Sequence, residues 1–314
     1  MKLPEYQDII KAHLLIGRFI HHTPVMTSTA INRITGSEIY FKCENLQKVG
    51  AFKFRGACNA VFSLTDQQAS RGVGTHSSGN HAAALAMAAS LKGIQAQIVM
   101  PSNSPEIKKK AVAGYGGIIT YCEPTLQARE TTLNRIAEST GIEIIHPYNN
   151  YKVIAGQGTA AKEFMEEVPQ LDVVLCPVGG GGLLSGTALS VKALSSSCRV
   201  IAAEPSGADD AYRSFYADRI IPSTHPVTIA DGLLTSLGEI NFAIIRTKVD
   251  EIVTVSEESI IQAMRLVWER MKLIIEPSSA VPLAVLLENR EKFRNIRIGI
   301  ILSGGNIDLK NLPF

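Results

Sequence analysis

Charge is scarce in this 314-residue chain and nearly cancels: charged residues make up 19%, with Lys plus Arg at 31 against Asp plus Glu at 29, for a formal charge of +2. So even a balance argues against a partner held by bulk charge, nucleic acid first among them. Cysteine is scarce too. Cys43, Cys58, Cys122, Cys176 and Cys198 are odd in number and form no CxxC pair. That disfavours a disulfide framework or a zinc ribbon and fits a reducing, cytoplasmic setting. No uncharged apolar run reaches the ~18 residues of a membrane span, and the N-terminal segment lacks the apolar core and small-residue cleavage site of a signal peptide. Fixed-period repeats, low-complexity tracts and a linker between sequential domains are also missing. What is abundant is apolar side chains, at 46%, which excludes a disordered chain.

Short β-branched runs alternate with Ala-rich stretches. Strands are expected over 38–44, 72–78, 95–101, 117–122, 172–178, 198–205 and 297–303, and helices over 55–65, 79–93, 125–141 and the stretch after Gly182. Such alternation predicts an α/β fold with parallel sheets and right-handed crossovers. The length suggests two lobes. With no linker, the smaller is expected as an insertion over 72–147, inside a larger lobe made of 1–71 and 148–314. The segment SIIQAMRLVWERMKLI has apolar residues at helical spacing (Ile260, Ile261, Met264, Val267, Trp268, Met271) and is expected as a helix, either at a dimer interface or in the core.

Five segments could carry chemistry. Gly179, Gly180, Gly181 and Gly182 follow a buried strand and open a helix, an arrangement that cradles an anion on backbone N–H groups. The dinucleotide fingerprint fails, because Leu184 and Ser185 stand where its last glycine would be. The nucleoside-triphosphatase loop fails at Thr187. Lys53 sits between Phe52 and Phe54; a buried lysine amine is a nucleophile toward an aldehyde, although a loop lysine is ordinarily solvated. The run from Thr75 to Ala82 stacks hydroxyls, an amide and free N–H groups where a helix begins, which suits a carboxylate or serves as a plain cap. Ser303, in LSGGN at the end of the last strand, can hydrogen-bond a ring nitrogen or merely form a turn. Glu204 and Asp210 flank a carbonyl and could hold a hard cation through oxygens, or form a solvated acidic loop.

In this order the segments resemble the fold-type II pyridoxal-phosphate enzymes, in the branch of serine racemases and serine/threonine dehydratases. QKVGAFKFRGA, THSSGNHA, IAGQGT, GGGGLLSG, AAEPSGADDAY, TIADG, LVWERMKLIIEP and LSGGN carry the likeness across the whole chain. The resemblance implies pyridoxal 5'-phosphate held covalently by Lys53, with Phe52 beside the ring and Asn80 on its 3-hydroxyl oxygen. It implies the phosphate on Gly179, Gly180, Gly181, Gly182 and Leu183, and the ring nitrogen facing Ser303. Ser78 would be the acid/base on the face opposite Lys53. Ser77, Ser78, Asn80, His81, Arg129, Asp231 and Thr235 would line the substrate site. Glu204, Ala208 and Asp210 would bind Mg²⁺, Mn²⁺ or Ca²⁺, and Lys48, Tyr115 and Lys272 would hold ATP as an effector.

The activity implied is interconversion of L- and D-serine with loss of the β-hydroxyl to give pyruvate and ammonia. The alternative is a threonine, serine or threo-3-hydroxyaspartate dehydratase without racemisation. The partners implied are a small hydroxy amino acid and a second copy of the chain. Three positions depart from what the resemblance implies: Ala51 replaces the Ser of most of the family, Tyr148 the smaller amide of the mammalian-type enzyme, and Ala83 an expected Gln. A non-catalytic sensor on the same fold would not need Lys53, Asn80 and Ser303 together.

Overall fold

Among the described residues ten strands sort into two sheets, and the catalytic candidates gather where the carboxyl ends of those sheets meet. The computed structural model describes residues 3–314. The strands are β1 (Val25–Thr27), β2 (Glu38–Cys43), β3 (Val73–His76), β4 (Ala96–Pro101), β5 (Ile118–Cys122), β6 (Glu143–Ile144), β7 (Val173–Pro177), β8 (Arg199–Pro205), β9 (Glu251–Val255) and β10 (Arg297–Leu302). The first sheet has the order β1-β2-β10-β7-β8-β9 and the second β5-β4-β3-β6. All neighbours run parallel except β1, which is antiparallel to β2.

The first sheet is covered on both faces. Val173 and Leu175 of β7 enter one apolar cluster, while Val174 and Cys176 enter another. Side chains alternate across a strand, so a strand buried on both sides must be apolar at every position. The second sheet packs its β4 residues Ile98 and Met100 against the Ala-rich helix Asn80–Lys92, and Val99 on the other face against Leu133 of the helix Leu126–Thr140. The helix Lys53–Phe62 joins the same cluster through Phe54, Ala57, Cys58 and Val61. Its outer side, at Gly56, lies against the long helix Tyr151–Glu167.

The expected strands and helices are present, with small shifts at their ends. Gly93 and Gly141 close their helices in the left-handed conformation, at φ 73° and 72°. One element differs. The helix expected over SIIQAMRLVWERMKLI is α-helical only for Glu257–Leu266, then takes one π turn at Val267–Met271 and stops at Lys272, φ 60°. The Trp268 indole N–H donates to Ile275 O at 3.0 Å, which folds the chain back. Ile260, Met264, Val267 and Met271 are buried in this chain's own core, so the periodicity is largely spent there. The five cysteines are free thiols, and no helix among the described residues is long and apolar enough to cross a membrane.

Candidate active site between the two sheets

Lys53 opens its helix beside the cleft. The Phe52 N–H donates to Ser303 O at 3.0 Å, and Ala51 bridges Gly304. The end of β10 is thereby tied to the lysine turn. The Lys53 Nζ donates to Pro147 O at 3.1 Å and lies 5.2 Å from the centre of the Phe52 ring. Burial pulls the amine down to about 8, opposed by the Glu276 carboxylate, which raises it. An amine so placed is deprotonated far more easily than a surface lysine.

The glycine run occupies the turn from β7 into the helix Gly182–Leu194. Gly181 has φ 91°, a conformation that favours glycine. A Cβ on Gly180 would sit 2.4 Å from the Tyr148 ring, and one on Gly179 would sit 2.9 Å from Leu233 Cα. The first N–H groups of the following helix lack intrahelical acceptors and carry the positive end of its dipole. Together with the side-chain-free backbone, they fit a phosphate. Leu183 is buried just inside.

Asn80 begins its helix at the carboxyl end of β3. Its Nδ2 donates to both Glu276 oxygens at 3.0 and 3.1 Å, and its Oδ1 accepts from Asn306 Nδ2 at 2.9 Å. Burial pushes the Glu276 carboxyl up to about 7. In the same turn, the Gly79 N–H donates to Ser77 Oγ at 3.3 Å, and Ser78 is partly buried. The His81 ring shares a hydrogen bond of 3.1 Å with Ile145 O through Nε2, leaving Nδ1 buried without a partner among the described residues. Burial and then Lys53 depress it to about 3. Ser303 is buried, with its Oγ 3.0 Å from Ser279 Oγ; Ser279 in turn holds both the N–H and the carbonyl of Gly304. A hydroxyl there can bond a ring nitrogen but carries no charge to balance a pyridinium.

The wall opposite is the turn from His146 to Asn149. Burial raises the Tyr148 phenol, and a hydrogen bond with Thr235 opposes that rise. Arg129 is partly exposed and close enough to lower both His76 and Tyr148. Asp231 stands at the rim, 2.5 Å from Lys108 Nζ. Tyr115 and Lys108 line a neighbouring cleft of about 540 Å³ with Asn80, Ala83 and Asn306; Lys48 and Lys272 do not line it.

Glu204 and Asp210 are fully buried. The Glu204 oxygens accept the Ala211 and Tyr212 N–H groups at 2.9 and 2.8 Å. Among the described residues neither Asp210 oxygen has a hydrogen-bond partner, although the Leu237 N–H and the Ser223 side chain are near enough to lower its carboxyl. Burial pushes Glu204 up to about 9 and Asp210 to about 6. Two buried carboxylates, one of them orphaned, fit a hard cation. Among the described residues no group of three or more His, Cys, Asp or Glu side chains could hold a metal, so the remaining ligands would be carbonyls, such as that of Ala208, and water.

Glu276, Ser279 and His146 were not singled out in the sequence, and Asn306 only as the last residue of LSGGN. Glu276 lies within the quoted stretch LVWERMKLIIEP, and nothing local marks it as the partner of a residue 196 positions away.

The family model described as "Pyridoxal-phosphate dependent enzyme" matches residues 16–304. The chain is 51% identical over 314 residues to a beta-hydroxyaspartate dehydratase of Paracoccus denitrificans, covering 100% of each. It is 51% identical over 310 residues to a serine racemase of Dictyostelium discoideum, covering 98% of this chain and 96% of that one. Among solved structures, maize serine racemase superposes with a TM-score of 0.96 at 45% identity, covering 98% and 95% of the two chains.

Proposed function

The chain belongs to the pyridoxal-phosphate dependent enzymes, and from that premise we propose that it interconverts L- and D-serine and eliminates the β-hydroxyl of serine to give pyruvate and ammonia. The observation that carries the reading is Lys53, whose partly buried amine is held at 3.1 Å by Pro147 O with its basicity lowered to about 8. Bound pyridoxal phosphate supplies the sink for the electron pair left at Cα when a proton is removed. The residues supply the rest. Gly179, Gly180, Gly181, Gly182 and Leu183 hold the phosphate, Phe52 flanks the ring, and Asn80 and Ser303 hold its polar edges.

In this reading Lys53 removes and returns the Cα proton on one face. Ser78 does so on the other, which inversion requires. Ser77, Asn80, His81 and Arg129 take the substrate-carboxylate and pocket positions, with Asp231 and Thr235 at the pocket wall. Glu204, Asp210 and the Ala208 carbonyl hold a divalent cation that stabilises the loop above the cup. Tyr115, with Lys48 and Lys272, makes the site for an ATP effector; the adjoining cleft supports only the Tyr115 part of that assignment. Residues 72–147 form the smaller lobe. The enzyme works as a homodimer in the cytoplasm, and a monomer by light scattering at working concentration overturns the dimer.

A second reading is dehydration of threo-3-hydroxyaspartate. It is favoured by Tyr148, which fills the wall where the mammalian-type enzyme has a smaller amide, and by the end-to-end match to the Paracoccus dehydratase. A panel of L-Ser, D-Ser, L-Thr and threo-3-hydroxyaspartate, assayed for keto acid and for the opposite enantiomer, decides. Turnover of serine in both directions supports the first reading. Keto acid from hydroxyaspartate without enantiomer exchange supports the second, and no turnover of any of the four overturns both.

A further inference from the structure

His146 lies one residue before the carbonyl that holds Lys53, and its ring nitrogen is committed. The Nδ1 accepts the backbone N–H of Tyr148 at 3.3 Å and of Asn149 at 2.9 Å. A nitrogen that accepts two N–H groups has no proton, so the neutral ring carries its proton on Nε2. Protonating Nδ1 would set a donor against two donors and open the turn. Burial, then His76 and Lys53, depress the ring to about 4, so it stays neutral over the working range.

The turn that this nitrogen closes reaches the site at three points. The Pro147 carbonyl accepts from Lys53 Nζ. The Tyr148 ring lies on Gly180, so closely that no Cβ fits between them, and His146 packs edge-on against that ring at 4.6 Å. Asn241 Nδ2 donates to both Tyr148 O and Gly180 O, at 3.1 and 2.7 Å, while Asn149 Oδ1 accepts from Ile240 N at 3.0 Å. One four-residue turn therefore spans the distance from the amine to the phosphate cup.

We propose that His146 is a positioning residue, whose Nδ1 locks this turn so that the Pro147 carbonyl aims the Lys53 amine while the Tyr148 ring closes the Gly180 cup. Without that acceptor, the N–H groups of residues 148 and 149 must seek water or each other's carbonyls. The amine and the cup then lose their common register. The inference rests on the reading of Lys53 as the cofactor-bearing residue.

The test compares His146→Asn, whose Oδ1 reaches the place of Nδ1, with His146→Leu, which keeps bulk but no acceptor. Apoenzyme is measured for pyridoxal phosphate affinity by equilibrium dialysis and for thermal midpoint. The pH midpoint of borohydride trapping on Lys53 is mapped by peptide mass. H146N is expected near wild type in both cofactor readouts. H146L should bind pyridoxal phosphate about tenfold or more weakly, as loss of a buried acceptor implies. Its trapping midpoint should move to lower pH, because the carbonyl that favours the ammonium form has drifted. If H146L does not fold, H146A, which also lacks the acceptor, takes its place. A change in thermal midpoint alone, with affinity and trapping as in wild type, overturns the inference, as does H146N failing as badly as H146L. A wild-type adduct on a lysine other than Lys53 overturns instead the reading on which the inference rests.

Discussion

The side-chain amide of Asn80 donates to both carboxylate oxygens of Glu276, at 3.0 and 3.1 Å, joining the first turn of a helix on one sheet to the segment that leads into the helix Pro277–Glu288 on the other. Asn306 donates to the other end of the same amide. The orientation of Asn80 is thus fixed before any ligand arrives, and the carboxylate that fixes it also raises the Lys53 amine. Preorganised groups do not have to reorganise during reaction.

Glu276→Gln tests that link. Burial holds the folded carboxyl near 7 against an ordinary value of 4.5. Between those values the folded state keeps a proton the unfolded state has lost, so Glu276 makes stability fall as pH rises, at most about tenfold in the folding constant per pH unit. The Gln variant should flatten this part of the pH dependence of apoenzyme melting. It should also carry the Lys53 trapping midpoint below that of wild type, since the carboxylate no longer supports the ammonium. An unchanged midpoint would show that Glu276 is electrically remote from Lys53.

Much of the architecture was legible from local pattern. β7, apolar at every position, could only be a covered strand, and the four glycines could only be a turn that must stay free of side chains. Glu276, Ser279 and His146 were not legible, because each matters through a partner that tertiary folding brings to it. The π turn at Val267–Met271 was hidden for a related reason: it arises where Trp268 bonds Ile275 O, and apolar spacing says nothing of that. β1 and β6, three and two residues long, are too short to show a period.

Gly180→Ala should damage cofactor binding more than folding. The new methyl would meet the Tyr148 ring at 2.4 Å, so either the ring or the cup must move. Pyridoxal phosphate affinity is expected to fall about tenfold or more, the size of a typical 1–3 kcal/mol overpacking effect. Adding Tyr148→Ala to the same chain should restore part of it. Equal affinity for wild type and Gly180→Ala in a dialysis titration would show that Tyr148 does not brace the cup.

Chelation should lower the melting temperature, and more at pH 8 than at pH 5.5. Glu204 and Asp210 are held near 9 and 6 by burial. Without a cation their stabilising protonated forms are lost as pH rises, Asp210 first, whereas a bound cation favours the ionised forms. Asp210→Asn should abolish the response to added Mg²⁺, Mn²⁺ or Ca²⁺ while making the chelated protein more stable. Melting curves indifferent to chelator and cation at both pH values would remove the site.

Ser78→Ala should separate the reactions. If Ser78 serves one face of Cα and Lys53 the other, L-to-D conversion and D-serine elimination should fall by orders of magnitude, while L-serine elimination survives in part. If Ser78 only orients the carboxylate, all three rates fall by similar factors. Proportional loss would retire the two-base assignment.

The central claim, that Lys53 bears the cofactor in this cleft, is tested most directly by borohydride reduction of the holoenzyme followed by peptide mapping. The account predicts a single pyridoxyl-phosphate adduct on the peptide containing Lys53, and none in Lys53→Ala, which should also lose turnover by several orders of magnitude. An adduct that persists in Lys53→Ala, or that maps in the wild-type chain to any other lysine, contradicts it.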